Sequence, residues 1–161
     1  MINLFEMARL LSEAGVEFVI VGGVAIRSHG GNYVTEDLGI CYLRTNDNLK
    51  SVASVLTPLK PRPRNFPENL PYIFDWTTLQ HGTNFTFETL MGDIDLLGEV
   101  KGVGSYDDLV PVSIQVELDG FPTRILSISS LIVAKRAAGR PKDEAGLVVL
   151  EALQAAQNDD D

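Results

Sequence analysis

Apolar positions recur along this chain first at helical and then at strand spacing, and the changes of period mark its elements. Leu4, Ala8 and Leu11 fall at i, i+4 and i+7, one buried face of a helix. Asn3, with Glu6 three residues on, opens that helix in the manner of a capping box, and Gly15 is suited to close it. Phe18 to Val21 is a short apolar run that reads as a buried strand ended by Gly22-Gly23. Val24 to His29 then reads as a short helix and Gly30 to Tyr33 as a turn. The next strand is Leu38 to Leu43. Leu49, Val52, Ala53 and Leu56 give one apolar face to a helix over Asn46 to Leu56.

The pattern breaks between Thr57 and Pro71, where Pro58, Pro61, Pro63, Pro67 and Pro71 exclude a helix interior or a central strand. The reading is an ordered surface loop. Trp76 to Gln80 predicts a helical turn. Asn84 to Thr89 alternates polar and aromatic residues, as a half-buried strand does, and Ile94 to Leu97 is a further strand. Val112 to Leu118 and Phe121 to Leu126, joined by Asp119-Gly120, predict a hairpin. Ser129 is the expected cap of a helix running to Ala138, Gly139 its terminator, and Pro141 the first residue of the last helix. The sum is an α/β (α+β) fold, a single domain with a mixed β-sheet flanked by helices. A hairpin without an intervening helix excludes a doubly wound parallel sheet. The expected domain covers residues 1–156, with 157–161 a disordered acidic tail.

The 161 residues suffice for one core, and 45% hydrophobic with 22% charged residues is ordinary for a globular protein. A net charge of −9 repels nucleic acid and anionic membranes, so any RNA contact needs a local basic patch. The lone Cys41 has no internal disulfide partner and reads as a small buried hydrophobe, which points to a reducing, cytoplasmic setting. The longest apolar run near the N-terminus, Val16 to Val21, is interrupted by Glu17 and is too short to span a bilayer.

Some residues carry chemistry. Gly22 and Gly23 follow a strand, where backbone amides can approach a phosphate closely; a plain tight turn is the other reading. Asp37 stands at the mouth of a strand and shares a face with position 39, which is glycine rather than a second acid. Asp93 and Asp95 also share a face; they suit Mg²⁺, or else Gly92-Asp93 is a turn and Asp95 makes a structural hydrogen bond. Lys135, Arg136, Arg140 and Lys142 form a dense basic cluster that suits an anion as well as a helix C-terminus. Lys60, Arg62 and Arg64 read as a solvated loop. His29 reads as satisfied by a backbone carbonyl, and His81 as a turn residue. The two histidines and one cysteine lack zinc spacing.

Taken together, Val21-Gly22-Gly23, thirteen intervening residues, and Asp37-Leu38-Gly39-Ile40 resemble the motif of the polymerase-beta-like nucleotidyltransferase superfamily. Gly92-Asp93-Ile94-Asp95-Leu96-Leu97 is similar to the strand with its third acid. The run from Ala134 to Asp143 is similar to its C-terminal basic helix-turn. The likeness spans about Leu4 to Leu153 and is nearest the small stand-alone bacterial members around the AbiEii-type toxins.

The resemblance implies a nucleotidyltransferase fold and NTP-dependent transfer of a nucleoside monophosphate to a hydroxyl of RNA, a protein or a small molecule. It implies Asp37 and Asp95 as catalytic residues, and Asp37, Asp95 and Asp93 as ligands of two Mg²⁺ ions. Gly22, Gly23, Lys135, Arg140 and Lys142 are the implied nucleotide-binding residues. Two positions depart from the pattern: Tyr33 where the superfamily has Arg, and Gly39 where it has the second acid. They raise the alternative of an inactive nucleotide- or protein-binding module, the partner half of a toxin–antitoxin or regulatory pair.

Overall fold

A computed structural model describes residues 2–160. In chain order its elements are α1 (Leu4–Glu13), β1 (Phe18–Val21), α2 (Gly22–Ser28), β2 (Asp37–Tyr42), α3 (Asn46–Leu56), β3 (Arg62–Pro63), α4 (Trp76–Gln80), β4 (Phe85–Thr89) and β5 (Gly92–Leu97). Then follow β6 (Glu99–Val100), β7 (Gly104–Ser105), α5 (Tyr106–Leu109), β8 (Ser113–Leu118), β9 (Phe121–Leu126), α6 (Ile128–Ala138) and α7 (Glu144–Asp160). Seven strands form one mixed sheet in the order β3-β4-β5-β2-β1-β9-β8, and β6 and β7 pair separately. β1 runs parallel to β9 and antiparallel to β2, while β2 runs parallel to β5.

The sequence periods explain these elements. All four residues of β1 are buried, as a strand covered on both faces requires. β5 alternates instead: Ile94 and Leu96 are fully buried, while Asp93 and Asp95 point to the opposite, half-exposed face. In the β8–β9 hairpin, Asp119 and Gly120 both take positive φ, the geometry that matches the twist of the flanking strands. Gly139 closes α6 in the left-handed conformation. The Asn3 side chain accepts the Glu6 N–H at 3.0 Å, whereas the Glu6 carboxylate turns to Arg9 at 3.4 Å, so only one arm of the expected capping box forms.

Three boundaries differ from the sequence reading. The cap of α6 is Ser127 rather than Ser129: its hydroxyl accepts the Ser130 N–H at 3.2 Å, because Ile128 is buried and already begins the helix. α2 starts at Gly22, two residues before Val24, since positive φ at Gly22 turns the chain directly out of β1. The proline-rich stretch is more than a loop: Arg62 and Pro63 pair with Glu88 and Phe87 as an edge strand, where proline is tolerated. α7 continues through 157–160, and Asp161 lies outside the described residues.

Asn48 fastens the strands that carry the site. It is buried (5% exposed), its Oδ1 accepts the Glu17 N–H at 2.8 Å, and its Nδ2 donates to Glu17 O at 3.0 Å and to Leu43 O at 2.7 Å. Glu17 precedes β1 and Leu43 follows β2, so one amide satisfies backbone groups at the ends of both strands away from the glycine pair. Asn48→Ala removes the side-chain partner of the Glu17 N–H and of Leu43 O, while Glu17 O keeps its bond from the Leu43 N–H at 3.1 Å, and is expected to lower the unfolding free energy by about 2 kcal/mol, read as a lower urea midpoint at unchanged slope.

Candidate active site

The cleft begins where β1 ends. Gly22 has φ +72°, and nothing lies within 4 Å of where its Cβ would be, so it needs glycine for its conformation and leaves open space beside it. Gly23 needs glycine for a different reason. A Cβ there would lie 2.5 Å from Thr35 Oγ1 and 3.0 Å from Tyr33 Cε1, so the 33–35 segment can cross it only because the side chain is absent. Thr35 Oγ1 donates to Asp37 O at 2.9 Å, which anchors that segment at the start of β2.

The acids meet through strand register. Asp37 pairs with Asp93 and Gly39 with Asp95 across the parallel β2–β5 ladder, which puts all four positions on one face. Burial pushes the Asp95 carboxyl up to about 6, and the charge and hydrogen-bonding proximity of Asp37 push in the same direction against Arg64. Asp93 is also raised, first by burial, with Arg64 opposing and Glu88, Asp37 and Glu36 adding repulsion. Arg64 corrects the sequence reading. Its side chain is partly exposed but paired, 3.1 Å from Asp95 Oδ1 through Nη2 and 3.4 Å from Asp93 Oδ2 through Nε.

The opposite wall is basic but partly neutralised. Lys135 Nζ lies 3.1 Å from Asp143 Oδ1, and Arg140 Nε lies 2.9 Å from Asp143 Oδ2. Asp143 is only 2% exposed. Burial acts to raise its carboxyl, but the hydrogen bonds and charges of Arg140 and Lys135 outweigh this and hold it below the usual range. Sequence reasoning missed Asp143; the available signal was a carboxylate directly after a run of four cations. Arg136 turns away to Glu151 at 3.0 Å.

Gly22, Gly23, Asp37, Asp95, Lys135, Arg140 and Lys142 all line one cleft of about 650 Å³. Asp93 does not line it; it sits one register step back, in a cross-strand row with Asp37 and Glu88. Leu97, Val100, Leu131, Ala134 and Ala138 give the cleft an apolar side. His29 Nε2 lies 2.7 Å from Leu126 O, a backbone bond as expected, and His81 follows α4 as its C-cap. Cys41 is buried, and burial with the nearby Asp108 charge pushes its thiol up to about 12, which makes it unreactive.

Among the described residues, no group of three or more His, Cys, Asp or Glu side chains is arranged to hold a metal ion. The Asp37–Asp95 pair, two adjacent oxygen donors that repel one another, fits one hard divalent ion. It does not fit two: Gly39 stands opposite Asp95, and Arg64 is already paired with both Asp93 and Asp95.

The whole chain superposes on solved structures. One is a candidate nucleotidyltransferase, TM1012 from Thermotoga maritima, with a TM-score of 0.56 and 16% identity over 99% of this chain and 96% of that one. This is the nucleotidyltransferase fold. The antibiotic-resistance factor ANT(2'')-Ia shares it, with a TM-score of 0.57 and 14% identity over 96% of this chain and 91% of that one. ANT(2'')-Ia in complex with adenylyl-2''-tobramycin gives a TM-score of 0.56 and 15% identity over 93% and 91%. The sequence matches no protein-family model and no curated protein. The mixed sheet flanked by helices expected from the sequence is thus the architecture of the nucleotidyltransferase fold.

Asp95 makes the electrostatics testable. Its folded pKa of about 6 lies above the ordinary 3.8, so the folded protein holds this proton more tightly than the unfolded chain does. That contribution is present below the ordinary value and is lost as pH rises through about 6. Asp95→Asn is therefore expected to raise Tm at about pH 7 and leave it nearly unchanged at about pH 3.5. In ¹³C-carboxyl NMR, Asp37→Asn is expected to move the Asp95 titration to lower pH; an unmoved midpoint refutes the coupling.

Proposed function

We propose that the cleft binds a nucleoside triphosphate and transfers its nucleoside monophosphate to an acceptor hydroxyl. The observation that supports this most directly is the convergence, in one cleft of about 650 Å³, of the open Gly22 turn, the Asp37–Asp95 pair and the Lys135–Arg140–Lys142 wall. Asp37 and Asp95 hold a single Mg²⁺. The ion, when bound, supplies charge neutralisation at the phosphates and acidifies the acceptor hydroxyl. The Gly22 turn lets the backbone approach the phosphates. Three cations against the single Asp143 carboxylate leave the far wall net positive, and Lys135, Arg140 and Lys142 supply its charge to the phosphates. The apolar side formed by Leu97, Val100, Leu131, Ala134 and Ala138 receives the base. The acceptor oxygen bonds to the α-phosphorus and pyrophosphate leaves.

The acceptor is a hydroxyl of RNA, a protein or a small molecule, and the setting is the cytoplasm. Titration calorimetry with ATP, GTP, CTP and UTP in Mg²⁺ is expected to show a Kd between about 1 µM and 1 mM for at least one of them. The Arg140→Ala, Lys142→Ala double variant is expected to weaken that binding by roughly tenfold or more. No heat with any of the four overturns the proposal.

Gly39 favours a second reading, an inactive nucleotide- or protein-binding module of a toxin–antitoxin or regulatory pair, of the kind the likeness to AbiEii-type proteins suggests. An acid at 39 would restore the missing donor beside Asp95. A Cβ there would lie 3.2 Å from Val21 O and 3.4 Å from Val21 Cγ2, so a shift of a few tenths of an ångström admits it. Under this reading only Gly39→Asp transfers radiolabelled NMP. Labelling by the unaltered chain rejects it.

A further inference from the structure

The acid cluster carries a cation of its own, and backbone bonds put it there. The Arg64 N–H donates to Thr86 O at 3.0 Å, and Thr86 is the β4 residue paired with Asp95. Arg64 thus emerges beside Asp95, on the side of β5 away from Gly39. The segment that follows is tied down: Asn65 N donates to Glu88 Oε1 at 3.1 Å, and Arg62 Nη2 donates to Pro67 O and Leu70 O, both at 2.8 Å. The Phe66 ring packs against the Arg62 guanidinium and against Tyr72. Arg64 Nε is buried without a hydrogen bond and is held only by its 3.4 Å pairing with Asp93.

We infer that Arg64 is the fixed counter-charge of this site, a positioning residue that holds the Asp93 and Asp95 carboxylates and restricts the acid cluster to one divalent cation. The inference rests on the reading of Asp37 and Asp95 as an ion-binding pair. Three acids, Asp37, Asp93 and Glu88, lie in one cross-strand row, with Asp95 one step on. Without a neutralising group such a row repels itself. Arg64 supplies one permanent charge, reaches two of these carboxylates, and presents a like charge to any second ion that approaches Asp95. The chain therefore carries at this place both a glycine opposite Asp95 and a guanidinium paired with it.

Mn²⁺ titration of the full chain, followed by electron paramagnetic resonance without nucleotide, tests this. The wild-type chain is expected to bind no more than one Mn²⁺. Arg64→Gln is expected to bind Mn²⁺ at least about tenfold more tightly, from the loss of one adjacent positive charge. Arg64→Lys is expected to stay within about threefold of wild type. Lys60→Gln makes the same change in net charge at an exposed position and is expected to change nothing. If Arg64→Gln does not fold, Arg64→Met, which keeps the apolar stem, is read in its place. Two ions on the wild-type chain, variants no tighter than Lys60→Gln, or no binding by any chain each overturn the inference. Because no nucleotide is present, the result is separate from the calorimetry. Nucleotide heat with unaltered Mn²⁺ affinity refutes the role of Arg64 alone, whereas tightened Mn²⁺ binding without nucleotide heat refutes the nucleotide reading alone.

Discussion

The parallel pairing of β2 with β5 is the constraint on which the rest of the site depends. It sets Asp37 beside Asp93 and Gly39 beside Asp95 on the half-exposed face, while Leu38, Ile40, Ile94 and Leu96 on the other face are fully buried. A slip of one residue would bury the acids and expose the aliphatics, so the core enforces the register and the register assembles the acids. Repulsion among the carboxylates is thus imposed by packing. It is tolerated because the buried face contributes more than the acids cost, and because Arg64 offsets part of the charge.

Charge is divided between the two walls of the cleft by different means. On the sheet, acids outnumber the single guanidinium, and burial with the Asp37 charge pushes the Asp95 carboxyl up to about 6. On the helical side, the buried Asp143 gathers Lys135 and Arg140 and fixes the turn between α6 and α7. Removing both cations would leave the buried Asp143 uncompensated, so this wall is structural as well as electrostatic. The Gly22 turn and the 33–35 segment over Gly23 close the end of the cleft between the two walls.

The nucleotidyltransferase fold by itself does not assign a reaction, since one fold hosts several functions. What this chain brings to its cleft is local: glycine at 39, tyrosine at 33, and an arginine delivered from the proline-rich edge. Tyr33 is a packing residue, its ring lying against Gly23 and Gly146. Arg64 comes from a segment whose composition marks it as loop, yet whose prolines make it a stiff edge strand that holds one side chain in place.

Local sequence determined most of the elements. The apolar period found α3 over Asn46–Leu56, the helical turn read at Trp76–Gln80 is α4, and Asp-Gly between two strand-like runs found the β8–β9 hairpin, because these depend on neighbours within a few residues. It also identified the acids and glycines that line the cleft, through spacing and resemblance. Tertiary structure alone decided three matters. It carried Arg64 to Asp93 and Asp95, buried Asp143 between Lys135 and Arg140, and moved the cap of α6 to Ser127. The cap moved because Ile128 is buried. Asp143 is near its partners in the chain, three positions from Arg140 and eight from Lys135, and folding added its burial between them; Arg64 stands about thirty positions from its carboxylates, where pattern along the chain carries no record of the pairing.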